Sequence, residues 1–243
     1  MDKREIKLEL KDVKAEILYH TYQNFNVKTL LVSFRKKRRV LSTREGFKEV
    51  TFVANNYCPP ALSKITMKNY EEFEEKLPKT LGILHSDFTF LSTGTDMDNL
   101  TICEKSFEEF KVCCLATAGT KNNALRAGVD LADYVERDGN YIHLNGTINI
   151  ILLTNATLSD GALASSIITA TEAKTATLQD LDIRSTHTPE IQATGTGTDS
   201  IIIASGKGLS KALRLTSGHT KMGELIGNST KIAVAEALKK QDG

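Results

Sequence analysis

Apolar and polar positions alternate over short stretches through the first half of the chain. Residues 28–34 and 50–54 are β-branched or aromatic runs between polar segments, the pattern of half-buried strands. Residues 88–91, 100–103 and 110–116 repeat it. The basic run Arg35-Lys36-Lys37-Arg38-Arg39 falls where a hairpin tip would lie. Pro59-Pro60 cannot donate to a ladder and marks a turn or loop. Residues 70–77 carry Glu71, Glu72, Glu74 and Glu75 around Phe73, a short surface helix that Pro78 ends or bends.

Past residue 116 strands begin to alternate with helices. Residues 147–153 are apolar on both alternating faces, which predicts a strand covered on both sides. Ser159 is placed to cap a helix, with Asp160 favourable in its first turn. Leu163, Ile167, Ala170, Ala173, Thr177 and Leu181 then recur every three or four residues, as an amphipathic helix requires. Residues 200–204 form another apolar strand, ended by Gly206 and Gly208, and two helical stretches follow at 221–226 and 229–240. The strand–helix–strand unit over 147–204 fits a right-handed parallel crossover. No Pro/Gly/Ser linker divides the chain. The expectation is one α+β domain over residues 1–243: a mixed β-sheet with helices, a strand-rich N-terminal half and a βαβ-like C-terminal unit. The echo between residues 92–96 and 196–199, Thr-Gly-Thr-Asp in both, is read as chance.

Composition narrows the classes. With no Trp, the core must rest on Ile, Leu, Val and Ala. A formal net charge of +1 gives no general attraction to nucleic acid or anionic membrane. The charge is uneven: residues 1–90 carry 17 Lys+Arg against 12 Asp+Glu, the remainder 14 against 18. The basic run supplies much of that asymmetry. Lacking interleaved aromatics, it reads as a solvated tip rather than a nucleic-acid surface. Cys58, Cys103, Cys113 and Cys114 form no C-x-x-C pair, and Cys113 and Cys114 would point to opposite faces of a strand. Reduced, buried thiols are expected. No apolar signal core follows Met1 and no apolar stretch reaches the roughly 18 residues of a membrane span, so a cytoplasmic protein without a membrane partner is expected.

The most distinctive segment is Thr194-Gly195-Thr196-Gly197-Thr198-Asp199. Its glycines permit close backbone approach, its hydroxyls donate and accept hydrogen bonds, and its carboxylate can orient water. The loop suits a polar, amide-rich ligand, and equally a tight turn whose threonines cap backbone groups. It lacks the Lys-Ser/Thr ending of a phosphate-binding loop. Glu172, near the apolar face of its helix, is a candidate general base, while Lys174, two residues on, reads as a solvated charge not paired with it. Ala116-Thr117-Ala118-Gly119 and Asn122-Asn123 follow a strand, a common place for ligand contacts. His20, His85, His143 and His187 stand alone, and His219 lies at a loop-to-helix junction. Neither a sequence-local metal site nor a G-x-S-x-G nucleophile appears.

Taken in order, several of these segments resemble the adenosylcobinamide amidohydrolases, also called the CbiZ family. They are Thr117-Ala118-Gly119 with Asn123-Ala124, Gly146-Thr147-Ile148-Asn149, Leu158 through Leu163, Thr171-Glu172-Ala173-Lys174, Ala193 through Asp199, and His219 through Glu224. The likeness is dense from about residue 114 to 224 and looser before it; the basic run and Asn55-Asn56-Tyr57-Cys58 depart from the pattern. The resemblance implies hydrolysis of the amide joining aminopropanol to a propionate arm of adenosylcobinamide, giving adenosylcobyric acid in corrinoid salvage. The implied partner is a small-molecule corrinoid, not nucleic acid or membrane. Cofactor, metal dependence and oligomeric state stay open; the motifs require no metal. A working assignment has Glu172 or Asp199 activate water, His219 protonate the leaving amine, and Thr196 or Thr198 steady the oxyanion, with Thr117, Asn123, Asn149 and Thr194 also binding substrate. The alternative is a non-catalytic corrinoid binder or carrier.

Overall fold

In the computed structural model the described residues are 1–66, 69–132, 147–208 and 210–243. The chain runs β1 (Asp2–Ile6), β2 (Val13–Tyr22), β3 (Phe25–Ser42), β4 (Gly46–Tyr57), α1 (Pro60–Thr66), α2 (Tyr70–Thr80), β5 (Phe88–Thr93), β6 (Thr101–Phe107) and β7 (Phe110–Ala118). It continues through β8 (Ala124–Leu125), β9 (Ile148–Thr154), α3 (Asp160–Asp180), β10 (Gly195–Thr196), β11 (Ser200–Ala204) and α4 (Lys221–Asp242). Nine strands join one sheet in the order β1-β2-β3-β11-β9-β7-β6, with β4 on the other side of β3 and β5 beyond it.

This sheet folds over on itself, and strand alternation then defines the layers. Ile17, Leu30, Val32 and Val53 face Leu115, Ile151, Leu153 and Ile202 across an apolar interior between the two halves. Their neighbours point the other way: Leu18, Leu31 and Phe90 meet Leu62, Phe73 and Leu77 of α1 and α2. On the far side, Cys114, Ile150, Leu152 and Ile203 meet Ala162, Ala170, Leu225 and Val234 of α3 and α4. The result is helix, sheet, sheet, helix, a mixed α+β architecture. Cys113 and Cys114 do fall on opposite faces, and all four thiols are free and buried. Burial pushes the Cys58 thiol up to about 11 and raises Cys103 too.

The expected parallel crossover is present: β9 and β11 pair in parallel, Asn149 to Ser200 through Leu153 to Ala204, with α3 between them in sequence. Ser159 caps α3 by accepting from the Ala162 N–H at 3.2 Å. Three expectations need correction. The basic run is no hairpin tip. It lies inside the 18-residue β3, where the pairing with β4 slips between Ser33 and Arg38. Before the slip β3 is flanked by β2 and β4; past it, at Val40–Ser42, β11 takes the place of β2. Of the two alternatives for Pro78, ending or bending the helix, the first does not hold: Pro78 sits within α2. The stretches 221–226 and 229–240 are one helix, because Leu225, Ile226, Ser229 and Thr230 on either side of Gly227 are all buried against the core. That packing outweighs the roughly 1 kcal/mol cost of a mid-helix glycine.

Candidate functional site

Polar groups mark both ends of β9, the first mouth at its N-terminal end and the second, which holds a cavity, at its C-terminal end. At the N-terminal end of β9 the apolar interior gives way to amides and hydroxyls. Asn149 Nδ2 donates to Asn55 Oδ1 at 2.8 Å and to the Ser92 carbonyl at 2.9 Å, and Asn55 Nδ2 donates to Thr117 Oγ1 at 2.9 Å. Asn55, Thr117 and Asn149 are each at most 2% exposed. Burying such groups costs several kcal/mol unless they are paired, so this chain ties β4, β5, β7 and β9 together in one register. Thr147 adds a hydrogen bond to the Thr198 carbonyl at 2.7 Å.

Above this network lies the Gly/Thr loop. β10 pairs with β8, joining Gly195 to Leu125 and Thr196 to Ala124, and Thr194 Oγ1 accepts from the Ala127 N–H at 2.9 Å. Asp199 closes the loop. Its carboxylate accepts from the Ile148 N–H at 3.1 Å, the Thr196 N–H at 3.1 Å, the Thr196 hydroxyl and the Lys174 ammonium. The side chains of Lys174 and Asp199 are 7% and 17% exposed. A Cβ at Gly195 would collide with Lys174 Nζ and the Asp199 carboxylate, so one or both side chains would have to shift.

The structure places each of the candidates. Thr117, Asn123 and Asn149 are interior groups, each at most 1% exposed, and Thr196 is 7% exposed. Thr194 and Thr198 remain half-buried at the mouth. Asp199 carries four donors on its two carboxylate oxygens. Lys174, which reads as solvated in the sequence, is buried because α3 turns it inward. Glu172 lies two residues earlier, about 200° around the helix, and is exposed. His219 is exposed just before α4, whose Met222 meets Thr154 at the opposite end of β9. At about 3.3 Å per residue that end is roughly 20 Å from Ile148, so the structure does not bring His219 to Asp199. Among the described residues no three His, Cys, Asp or Glu side chains converge as a metal site needs. No helix among them is long and apolar enough to cross a membrane. Gly146 and His143 lie outside the described residues.

The sequence model of the family described as adenosylcobinamide amidohydrolase matches residues 13–243. The chain belongs to the adenosylcobinamide amidohydrolase family. An uncharacterized protein of Methanocaldococcus jannaschii is 48% identical over 250 residues, covering 97% of this chain and 96% of its own. Among solved structures, a protein of Pyrococcus horikoshii is similar over 95% of this chain and 85% of its own, with a TM-score of 0.49 and 12% identity. The l-aminopeptidase d-ala-esterase/amidase of Ochrobactrum anthropi, described as a variant of the Ntn hydrolase fold, is similar over 94% and 84%, with a TM-score of 0.43 and 10% identity.

The segments that resemble the adenosylcobinamide amidohydrolase pattern now divide by place. Thr117 to Gly119, Asn123, Thr147 to Asn149, Lys174 and residues 193–199 gather at the first mouth. Residues 219–224 instead build the start of α4. Thr220 caps it by accepting from the Gly223 N–H at 3.0 Å, and Lys221 pairs with Glu224 at 2.6 Å. Gly223 approaches the Ser217 carbonyl too closely for any side chain. Asn55 and Ser92 belong to the first mouth, although in the sequence Asn55 stands out only as a departure from the family pattern and Ser92 only as part of the echo at 92–96. The one available signal was a pair of asparagines, uncommon in strands, inside an otherwise apolar strand run.

Proposed function

We propose that this chain hydrolyses the amide joining aminopropanol to the propionate arm of adenosylcobinamide, giving adenosylcobyric acid and the free amino alcohol. The supporting observation is convergence: four segments spread from Thr117 to Asp199 meet at one mouth around the Lys174–Asp199 pair. A mouth walled by hydroxyls and backbone amides suits a ring fringed with carboxamides.

In this reading Thr194 and Thr198, with the loop's backbone N–H groups, hold the substrate amide. Lys174 supplies positive charge toward which the amide oxygen's negative charge grows, and Asp199 and the Thr196 hydroxyl are positioning groups. Loss of such an electrostatic donor typically lowers kcat by about a hundredfold to a thousandfold. The test incubates the purified protein with adenosylcobinamide and follows adenosylcobyric acid by mass spectrometry. Lys174→Met should lose most of kcat with little change in KM; Thr198→Val should mainly raise KM. Tight binding of adenosylcobinamide without turnover would sink the enzymatic reading and leave a corrinoid carrier.

A further inference from the structure

Among the described residues two cations are buried, Lys174 and Arg38. Lys174 has a carboxylate. Arg38, 6% exposed, donates from Nη1 to the Thr154 carbonyl at 3.2 Å and lies 4.6 Å over the Phe34 ring, but forms no ion pair with any described residue. Burial lowers its pKa, and Asp12 is the one charge that opposes this. A buried guanidinium without a counter-ion is costly, and its donor fork matches phosphate or carboxylate oxygens.

Arg38 lines a cavity of about 560 Å³ at the second mouth, at the carboxyl ends of the parallel strands β9 and β11. Ligands of parallel sheets favour that position, and the volume is that of a small-molecule site. Lys11, Arg35, Lys36 and Lys207 share the lining, each without an ion-pair partner among the described residues, together with Lys111, which pairs with Glu9. Against these six cations stand only Glu9 and Asp12. The backbone is shaped to gather them. The slip in β3 turns Arg35 and Lys36 out of the ladder, and the Arg35 N–H is held by the Asp12 carbonyl at 3.2 Å. Gly206 and Gly208 press on the backbone of Asn155, where a Cβ at either would overlap it, and so bring Lys207 to the rim.

We propose that this second mouth binds a compact, multiply charged anion of the di- or triphosphate class, either inorganic or borne by a nucleotide. An excess of four positive charges around one enclosed guanidinium suits three or four negative charges concentrated in a small volume. A nucleic-acid strand would instead call for an open basic groove with aromatic platforms. The site is about 20 Å from the first mouth and is independent of the amidohydrolase reading.

Isothermal titration of the full chain with inorganic triphosphate, orthophosphate, citrate, ATP and a 20-nucleotide DNA strand tests this. Inorganic triphosphate should bind at least about tenfold tighter than orthophosphate or citrate. ATP binding tighter than triphosphate would identify a nucleotide as the source; equal binding would identify the phosphate groups alone. Lys36→Ser with Lys207→Ser, both exposed, should weaken triphosphate at least about tenfold with unchanged thermal unfolding, and Arg38→Gln more. The proposal is overturned if triphosphate binds no better than citrate, if the double variant binds it equally well, or if the oligonucleotide binds tighter than every phosphate.

Discussion

Asp199→Ala should cost far more than its single ion pair suggests. The change strips Lys174, 7% exposed, of its counter-charge and removes the acceptor for the Ile148 and Thr196 N–H groups. An uncompensated buried ion costs about 3–5 kcal/mol, and partial access to water at the mouth spares some of the backbone penalty. The expected loss is therefore about 4–5 kcal/mol. Lys174→Met is milder, about 2–3 kcal/mol, because Asp199 keeps three donors and more contact with water. Groups in direct contact couple by about 0.5–3 kcal/mol, so the double variant should lose less than the sum. At about 2–4 °C per kcal/mol for a chain of this size, the Asp199 variant should melt roughly 8–20 °C lower and the Lys174 variant roughly 4–12 °C lower. Thermal melts and urea titrations of the four proteins give the cycle. Equal losses from the two single variants, or strict additivity in the double, would refute the view of Asp199 as the hub of this loop.

Other outcomes follow from the same geometry. Gly195→Ala should separate Lys174 from Asp199 and lower kcat at least about tenfold even where circular dichroism shows a folded chain, since electrostatic donors act only in place. His219→Ala and Glu172→Gln should leave turnover within about twofold, because neither reaches the first mouth; a loss of about a hundredfold, the low end for an acid or base, would return them to the mechanism. Asp130 is pushed down to about 2 by the Arg126 N–H and then by the Ser185 and Thr188 hydroxyls. Its stabilising effect should be complete above pH 3.8 and vanish as pH falls through about 2. Urea midpoints of Asp130→Asn should accordingly lie below those of the unmodified chain at pH 6 and meet them near pH 2.

Much of the fold is legible where one physical signal dominates. Residues 147–153 read as a doubly covered strand because both faces are apolar, and the strand lies at Ile148–Thr154; Ser159 reads as a cap because nothing else competes for its hydroxyl. β3 is hidden because its middle is charged: Arg35 to Arg39 break the alternation at the point where the strand passes from one half of the sheet to the other. Local pattern carries no trace of such a change of partners. The site was legible as a set of segments, not as roles. Thr117 and Asn149 look like ligand contacts because they are polar, and the hydrogen bonds that join them through Asn55 depend on strands far apart in sequence. Lys174 looks solvated because helix charges usually are, and only the position of Asp199, 25 residues away, turns it inward.

The position of β11 bears on how the chain folds during synthesis. This five-residue strand lies between β3 and β9, with Ile202 paired to both Ser42 and Ile151. Its bond to β3 spans roughly 160 residues, the kind of distant contact that slows folding. Strands β1 to β5 can assemble as soon as they emerge from the ribosome, but two sheet edges stay unpaired until residue 204 follows. Such edges invite pairing with other chains, so a nascent or truncated form lacking β11 should be the aggregation-prone state, one in which a chaperone would have most to do.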